Sequence, residues 1–248
     1  MSTLQPEPPH LCVYALPGVP QDVALVECCR TLEEAGCTFS NEVVVTRSES
    51  PFRSITELER EMTSYDSTAE RLVSEHRVLA MGFRHPRFGA VSLAVAPTVD
   101  ARERHPLEVA VHAEGLSYPT ALRSRDQKGD ARRRWAWAKS LLVSMSERTG
   151  AAYGAAGVEV DFPSVHALRG TVGQRVLRPS TWFVPTSTSK DRAAQEESLW
   201  SALPQRSVVR VRDGVMIHGP DADGEGGADD EDVDQVVALL AHRMTDSA

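Results

Sequence analysis

The stretch that decides the fold runs from Ser124 to Phe162 and reads SRDQKGDARRRWAWAKSLLVSMSERTGAAYGAAGVEVDF. Ser124 and Gln127 have the spacing of a capping box, which predicts that a helix begins here. Gly150 stands where a residue in the left-handed conformation would end that helix. Between these limits, apolar residues recur at steps of three or four, as in a helix with one buried stripe: Trp135, Ala138, Leu142 and Met145.

The residues after this helix predict a strand. Apolar and acidic side chains alternate from Val158 to Phe162, which is the period of a half-buried strand. The small residues around Gly154 and Gly157 are expected to let the helix approach the sheet. A Trp-bearing helix that leads directly into a strand favours an α+β fold. We therefore expect a mainly antiparallel mixed sheet, packed by this long helix and several shorter helices.

The remaining chain predicts further strands and helices around that centre. A β-α-β opening is expected over His10–Leu16, Gln21–Ala35 and Glu42–Thr46, followed by two helices at Ser54–Tyr65 and Thr68–His76. Later strands are predicted at Val78–Phe83, Phe88–Ala96, Leu107–Ala113, Thr181–Val184, Val208–Val211 and Val215–Ile217, and later helices at Lys190–Leu203 and Val233–Met244. We expect residues 1–9 to form a flexible leader and residues 10–248 a single domain with an acidic loop at 220–234.

The composition is that of an ordinary folded protein. Of the 248 residues, 41% are hydrophobic and 25% are charged, as in typical globular domains. No apolar run approaches the roughly 20 residues of a membrane-spanning helix. Residues 1–10 contain no lysine or arginine, which argues against a secretory signal. A cytoplasmic location without membrane association is therefore predicted.

The cysteines have the pattern of core residues rather than of metal ligands. Cys28 and Cys29 are adjacent and do not match the spacing that places two thiolates on one zinc ion. Together with Leu25 and Leu32 they occupy positions i, i+3, i+4 and i+7 of a helix. Since free cysteine is among the most buried residue types, we expect buried thiols here.

The charge of the protein is concentrated in one segment. Asp221 to Asp234 holds eight of the 35 acidic residues and no basic residue, so the remaining 27 acidic residues balance the 27 basic ones. Nucleic-acid binding is disfavoured because it requires a basic surface. An acidic segment on an otherwise neutral body is compatible with a basic protein partner, since exposed charges steer association. The predicted partner-binding residues are Glu225, Asp229, Asp230, Glu231 and Asp232.

The same segment has an alternative interpretation as a calcium site. Asp221, Asp223, Glu225 and Asp232 are spaced as in an EF-hand loop, with Gly226 at the turn position. The pattern departs from that motif because Asp232 stands where a bidentate glutamate is usual and a strand is predicted before the loop. Blocks of like charge repel and stay solvated. We therefore predict a disordered acidic loop without a metal, with a calcium-responsive interaction module as the alternative.

A catalytic interpretation depends on one acidic pair. Glu159 and Asp161 fall on the same face of the predicted strand, where they could act as an acid–base pair or bind a metal. Alternation on the solvent side of a strand produces the same pattern. No phosphate-binding loop, nucleophile elbow, dinucleotide fingerprint or zinc-protease helix is present. We expect no catalytic residues and no cofactor. The basic run Arg132–Arg134 could bind an acidic partner, although a solvated helix face is the simpler interpretation.

The second half of the chain resembles immunity proteins of bacterial polymorphic-toxin and secreted-toxin systems. The resemblance lies in the order of elements, in which a Trp-containing helix leads into Tyr153-Gly154 and Val158-Glu159, followed by Trp182-Phe183, Leu203-Pro204, a strand pair around Asp213-Gly214 and a closing amphipathic helix. It implies a non-catalytic protein that binds and neutralises a cognate toxin, which is basic in many such systems. An enzyme that uses Glu159 and Asp161 remains an open alternative.

Overall fold

A computed structural model describes residues 6–46, 60–64, 68–75, 77–96, 104–114, 116, 123–160, 162, 180–187, 190–219 and 230–245. The strands are β1 (His10–Leu16), β2 (Thr38–Thr46), β3 (Arg60–Ser64), β4 (Arg77–His85), β5 (Gly89–Val95), β6 (Leu107–His112), β7 (Tyr153–Val158), β8 (Thr181–Pro185), β9 (Val208–Val211) and β10 (Gly214–His218). The helices are α1 (Gln21–Glu34), α2 (Ala69–Glu75), α3 (Arg125–Arg148), α4 (Lys190–Ala202) and α5 (Asp230–Thr245).

The ten strands form one sheet in the order β3-β2-β4-β5-β6-β1-β7-β8-β10-β9. Every pairing within the described strands is antiparallel, so the predicted α+β class with a mainly antiparallel sheet is confirmed. Although α1 connects β1 to β2, three other strands separate them in the sheet. The division into a leader and a single domain stays a prediction.

Of the three hydrophobic clusters among the described residues, the two largest lie on opposite faces of the sheet. The first contains Phe183 together with apolar residues of α1, α2 and α3. The second contains Trp182 together with Trp200 of α4 and Leu240 of α5. Because successive residues of a strand point to opposite faces, Phe183 and Trp182 place the two clusters on opposite sides of β8. None of the described helices has the length and apolarity needed to cross a membrane.

Helix α3 has the limits and the buried stripe that the sequence predicts. The Ser124 hydroxyl accepts a hydrogen bond from the Gln127 amide at 3.3 Å, and the Gln127 side chain accepts one from the Ser124 amide at 2.9 Å. At the other end, Gly150 adopts a φ of +54°. Trp135 and Met145 are both buried. The capping box and the left-handed glycine therefore define a helix whose apolar face packs on the sheet.

The strand after this helix lies earlier in the sequence than the alternation predicts. Strand β7 covers Tyr153–Val158, and the predicted strand at Val158–Phe162 is wrong because the chain turns at Glu159, which has a φ of +50°. Gly154 lies against α3, where an added Cβ would be 2.7 Å from Leu142 Cδ1 and 2.7 Å from Ser146 Oγ. Gly154 thus lets α3 approach the sheet, as expected, whereas an added Cβ at Gly157 would be 2.8 Å from Val160 Cγ2 and does not meet α3. Glycine and alanine have weak strand propensity, so the sequence does not indicate a strand at Tyr153–Val158.

A second correction concerns β3. Residues Arg60–Ser64 form an edge strand paired with β2, whereas the sequence predicted a helix over Ser54–Tyr65; residues 54–59 lie outside the described residues. Charged residues such as Arg60 and Glu61 are typical of edge strands, where they oppose pairing with other chains. The same residues are good helix formers, which explains the wrong assignment.

Candidate partner-binding groove

A groove of about 710 Å³ lies between the β4–β5 turn and α3. We call it the aromatic–arginine groove, and it is lined by His85, Pro86, Arg87, Phe88, Arg133, Ala136 and Trp137. The three α3 residues lie at positions i, i+3 and i+4, which share one face of a helix. Its volume is within the range of pockets that hold a small ligand or a few side chains of a partner.

The turn that forms one wall is fixed by His85. Its Nδ1 atom accepts hydrogen bonds from the backbone amides of Arg87 and Phe88, both at 3.1 Å. Gly89 completes the turn with a φ of +80°, a conformation that favours glycine. Burial, followed by the positive charges of Arg87 and Arg134, lowers the pKa of His85. With Nδ1 acting as an acceptor, His85 is the neutral tautomer protonated at Nε2.

Three aromatic rings form the apolar surface of the groove. The His85 and Phe88 rings are stacked with centroids 4.2 Å apart. The Trp137 ring meets both at an angle, with centroid distances of 5.7 Å and 5.5 Å. Trp137 Nε1 also donates a hydrogen bond to the Ala35 carbonyl at 3.3 Å. Each ring is therefore held by a neighbour, and the surface is formed before any partner arrives.

Arg134 supports this aromatic surface from within the protein. It is only 5% exposed, and its guanidinium carbon lies 4.9 Å from the centre of the Phe88 ring. Its Nη1 atom donates to the His112 carbonyl at 2.5 Å, and Nη2 lies 3.6 Å from Glu114 Oε2. The solvated-face interpretation of Arg132–Arg134 is therefore wrong for Arg134. Arg132 and Arg133 are exposed.

The rim of the groove is positively charged. Arg87 and Arg133 are exposed lining residues, and no carboxylate is among the residues that line the groove. Arg133 Nη2 also donates to Asp130 Oδ1 at 2.6 Å, and this hydrogen bond is the main cause that holds the pKa of Asp130 below its usual range. A cationic rim thus surrounds an apolar floor, on a protein whose net charge is −8.

The structure describes some, but not all, of the residues of the predicted acidic site. Glu225 and Asp229, and the alternative calcium ligands Asp221 and Asp223, lie outside the described residues. Asp230, Glu231 and Asp232 belong to the first turn of α5, which begins three residues before the predicted Val233. Acidic residues at a helix N-terminus interact favourably with the helix dipole. Within the described part of the chain, no group of three or more potential metal ligands is present.

Of the predicted catalytic pair, the structure describes Glu159, whereas Asp161 lies outside the described residues. Glu159 accepts a hydrogen bond from the His10 amide, and its carboxylate lies 3.3 Å from His10 Nδ1. The Glu159 side chain is 52% exposed. The contact brings together two residues far apart in sequence, at the point where strand β1 begins and its neighbour β7 ends.

Comparisons with known proteins give a likeness in structure only. No family model matches the chain, and no curated protein matches it. Among solved structures, the chain is similar to a Pseudomonas aeruginosa protein described as "T6SS protein PA0821", with 14% sequence identity and a TM-score of 0.45. The similarity covers 95% of this chain and 72% of that one.

Proposed function

We propose that this chain is a non-catalytic binding protein of the immunity class, which binds and neutralises a cognate bacterial toxin in the cytoplasm. The observation that carries the proposal is the aromatic–arginine groove. Tryptophan and arginine are enriched among the residues that dominate protein–protein binding energy, and here both line one groove. The order of elements in the second half of the chain supports the same proposal.

The rigidity of the groove is a further argument for binding. His85, Phe88 and Trp137 hold one another by ring contacts, and the turn is closed by two hydrogen bonds to His85 Nδ1. A preformed surface loses little conformational entropy when a partner docks, so more of the contact energy contributes to affinity. These contacts serve a binding surface, and the proposal requires no reaction.

Co-expression with the product of the neighbouring gene tests the proposal. We expect the chain to restore growth of cells that express that product, and the two purified proteins to form a stoichiometric complex by calorimetry. Glu159→Gln is expected to protect equally well, since the proposal assigns Glu159 no chemical role. Absence of a complex would contradict the proposal. Loss of protection in a folded Glu159→Gln variant would instead favour the enzyme.

The acidic segment has a separate proposed role in the rate of association. Neutralising Asp229, Asp230, Glu231 and Asp232 to Asn or Gln is expected to slow association with a basic toxin by about tenfold or more at low salt. Dissociation should change little, because exposed charges steer encounter more than they hold a complex. Stopped-flow measurements over a salt series test this. Insensitivity to both salt and substitution would contradict it, and a melting temperature raised by calcium would favour the metal-binding alternative.

A further inference from the structure

We propose that the aromatic–arginine groove binds a short acidic peptide segment of the partner protein, in which an aromatic or aliphatic side chain is flanked by carboxylates. The inference rests on the proposed function, because it names the part of the partner that this groove would hold. It concerns a different surface from the acidic run of residues 221–234, which would face basic residues of the partner.

The floor of the groove defines the anchor. Pro86, Phe88, Ala136 and Trp137 present apolar surface, and burial of such surface is favourable only for an apolar group. The Trp137 ring is half-buried and can pack against a further ring, whereas the Phe88 ring, 5.5 Å from it, is stacked on His85 and covered by Arg134. Aromatic pairs in offset or edge arrangements contribute about 0.5–1.5 kcal/mol beyond the area they bury.

The charged rim of the groove indicates which residues of the peptide should flank its apolar anchor. The Arg87 and Arg133 guanidiniums can each form paired hydrogen bonds with a carboxylate, a geometry that a lysine cannot provide. Asp130 already bonds Arg133 Nη2, which leaves the other guanidinium hydrogens of Arg133 available to a ligand. His85 adds no positive charge, since it is the neutral tautomer. Charge complementarity at the groove therefore depends on these two arginines.

The net charge of the chain favours a peptide over a nucleic acid as the ligand of the groove. Aromatic rings and arginines also bind single-stranded nucleic acid, but such sites follow the phosphate backbone with a continuous basic groove. This chain has a net charge of −8, and the rim carries two exposed guanidiniums. A segment of a few residues with two or three carboxylates matches that limited positive surface better than a phosphate backbone does.

A titration with synthetic peptides tests the inference directly. The probe is Ac-Gly-Asp-Phe-Asp-Gly-NH₂, compared with the analogue that has asparagine in place of both aspartates, the analogue that has lysine there, and a five-nucleotide oligothymidylate. Binding is followed by the Trp137 indole signal in a ¹H–¹⁵N spectrum. We expect the acidic peptide to bind at least tenfold more tightly than each of the others. Equal binding of the lysine peptide, or tighter binding of the oligonucleotide, would overturn the inference.

Charge-reversal variants locate the binding. Arg87→Glu/Arg133→Glu is expected to weaken binding of the acidic peptide at least tenfold. The matched control is Arg132→Glu/Arg206→Glu, which changes the net charge equally at exposed positions that do not line the groove and should bind as the wild type does. Equal losses in the two double variants would overturn the inference. Arg87→Gln/Arg133→Gln serves as a second groove variant that introduces no new carboxylates, and it should also weaken binding.

The same variants separate this inference from the proposed function. A toxin complex that forms equally well with Arg87→Glu/Arg133→Glu would contradict the groove assignment and leave the immunity role intact. Binding of the acidic peptide without any toxin complex would contradict the immunity role and leave the groove assignment intact.

Discussion

Replacing Trp135 with alanine is expected to lower the free energy of unfolding by about 3–5 kcal/mol, as large-to-small substitutions in a core do. Trp135 is 3% exposed and belongs to the cluster that joins α1 and α3 to the sheet. Because Trp135 lies on the long helix α3, the substitution would leave a cavity between α3 and the elements that pack against it. Urea unfolding followed by circular dichroism measures the loss.

Trp135→Phe provides the control for that prediction. The smaller ring keeps much of the apolar contact, and it removes Nε1, which is buried without a hydrogen-bond partner among the described residues. We expect it to cost less than half as much as alanine. An unfolding curve unchanged by Trp135→Ala would show that the apolar stripe of α3 does not contribute to the core.

Glu196→Ala is also expected to cost about 3–5 kcal/mol, because it removes the carboxylate of a largely buried ion pair. The Glu196 side chain is 3% exposed and that of Arg243 is 11% exposed. Arg243 Nε donates to Glu196 Oε1 at 3.0 Å, and Arg243 Nη1 donates to the Pro185 carbonyl at 2.6 Å. This ion pair links α4, α5 and the end of β8, so its loss should loosen the second cluster.

The neighbouring residue offers a matched control. Glu197 forms an ion pair with Arg210, but both side chains are more than half exposed, and exposed pairs contribute about 0–1 kcal/mol. Glu197→Ala should therefore change the free energy of unfolding by less than 1 kcal/mol. Replacing Glu196 and Arg243 together with leucine and methionine should recover much of the loss. Equal destabilisation by Glu196→Ala and Glu197→Ala would contradict the buried-pair argument.

Features encoded by local spacing could be predicted from the sequence. The capping box at Ser124, the glycine stop at Gly150 and the buried stripe of α3 each depend on residues within a few positions of one another. Strand β7 could not be placed, because glycine and alanine have weak strand propensity, and Gly154 is required by the approach of Leu142 and Ser146. The edge strand β3 was missed for a related reason, since its charged residues have the composition of a helix.

The groove was not predictable by the same means. It joins the turn that contains His85 and Phe88 to Trp137 on a helix some 50 residues later, and no local period connects them. Arg134 illustrates the difficulty, since the sequence places it in a basic run and only tertiary packing shows it buried beneath Phe88. The acidic run, by contrast, was evident from composition.

The four cysteines give the folded protein a built-in set of chemical probes. None of the four forms a disulfide, all are buried, and they lie in β1, in α1 and in the turn before β2. Burial raises the pKa of Cys12 and Cys28 far above the usual range, and that of Cys37 to about 12. Since the thiolate is the reactive species, alkylating reagents can modify these thiols only during transient opening. The rates at which these thiols are modified therefore report the local opening of β1 and α1 in the unaltered protein, without an introduced label.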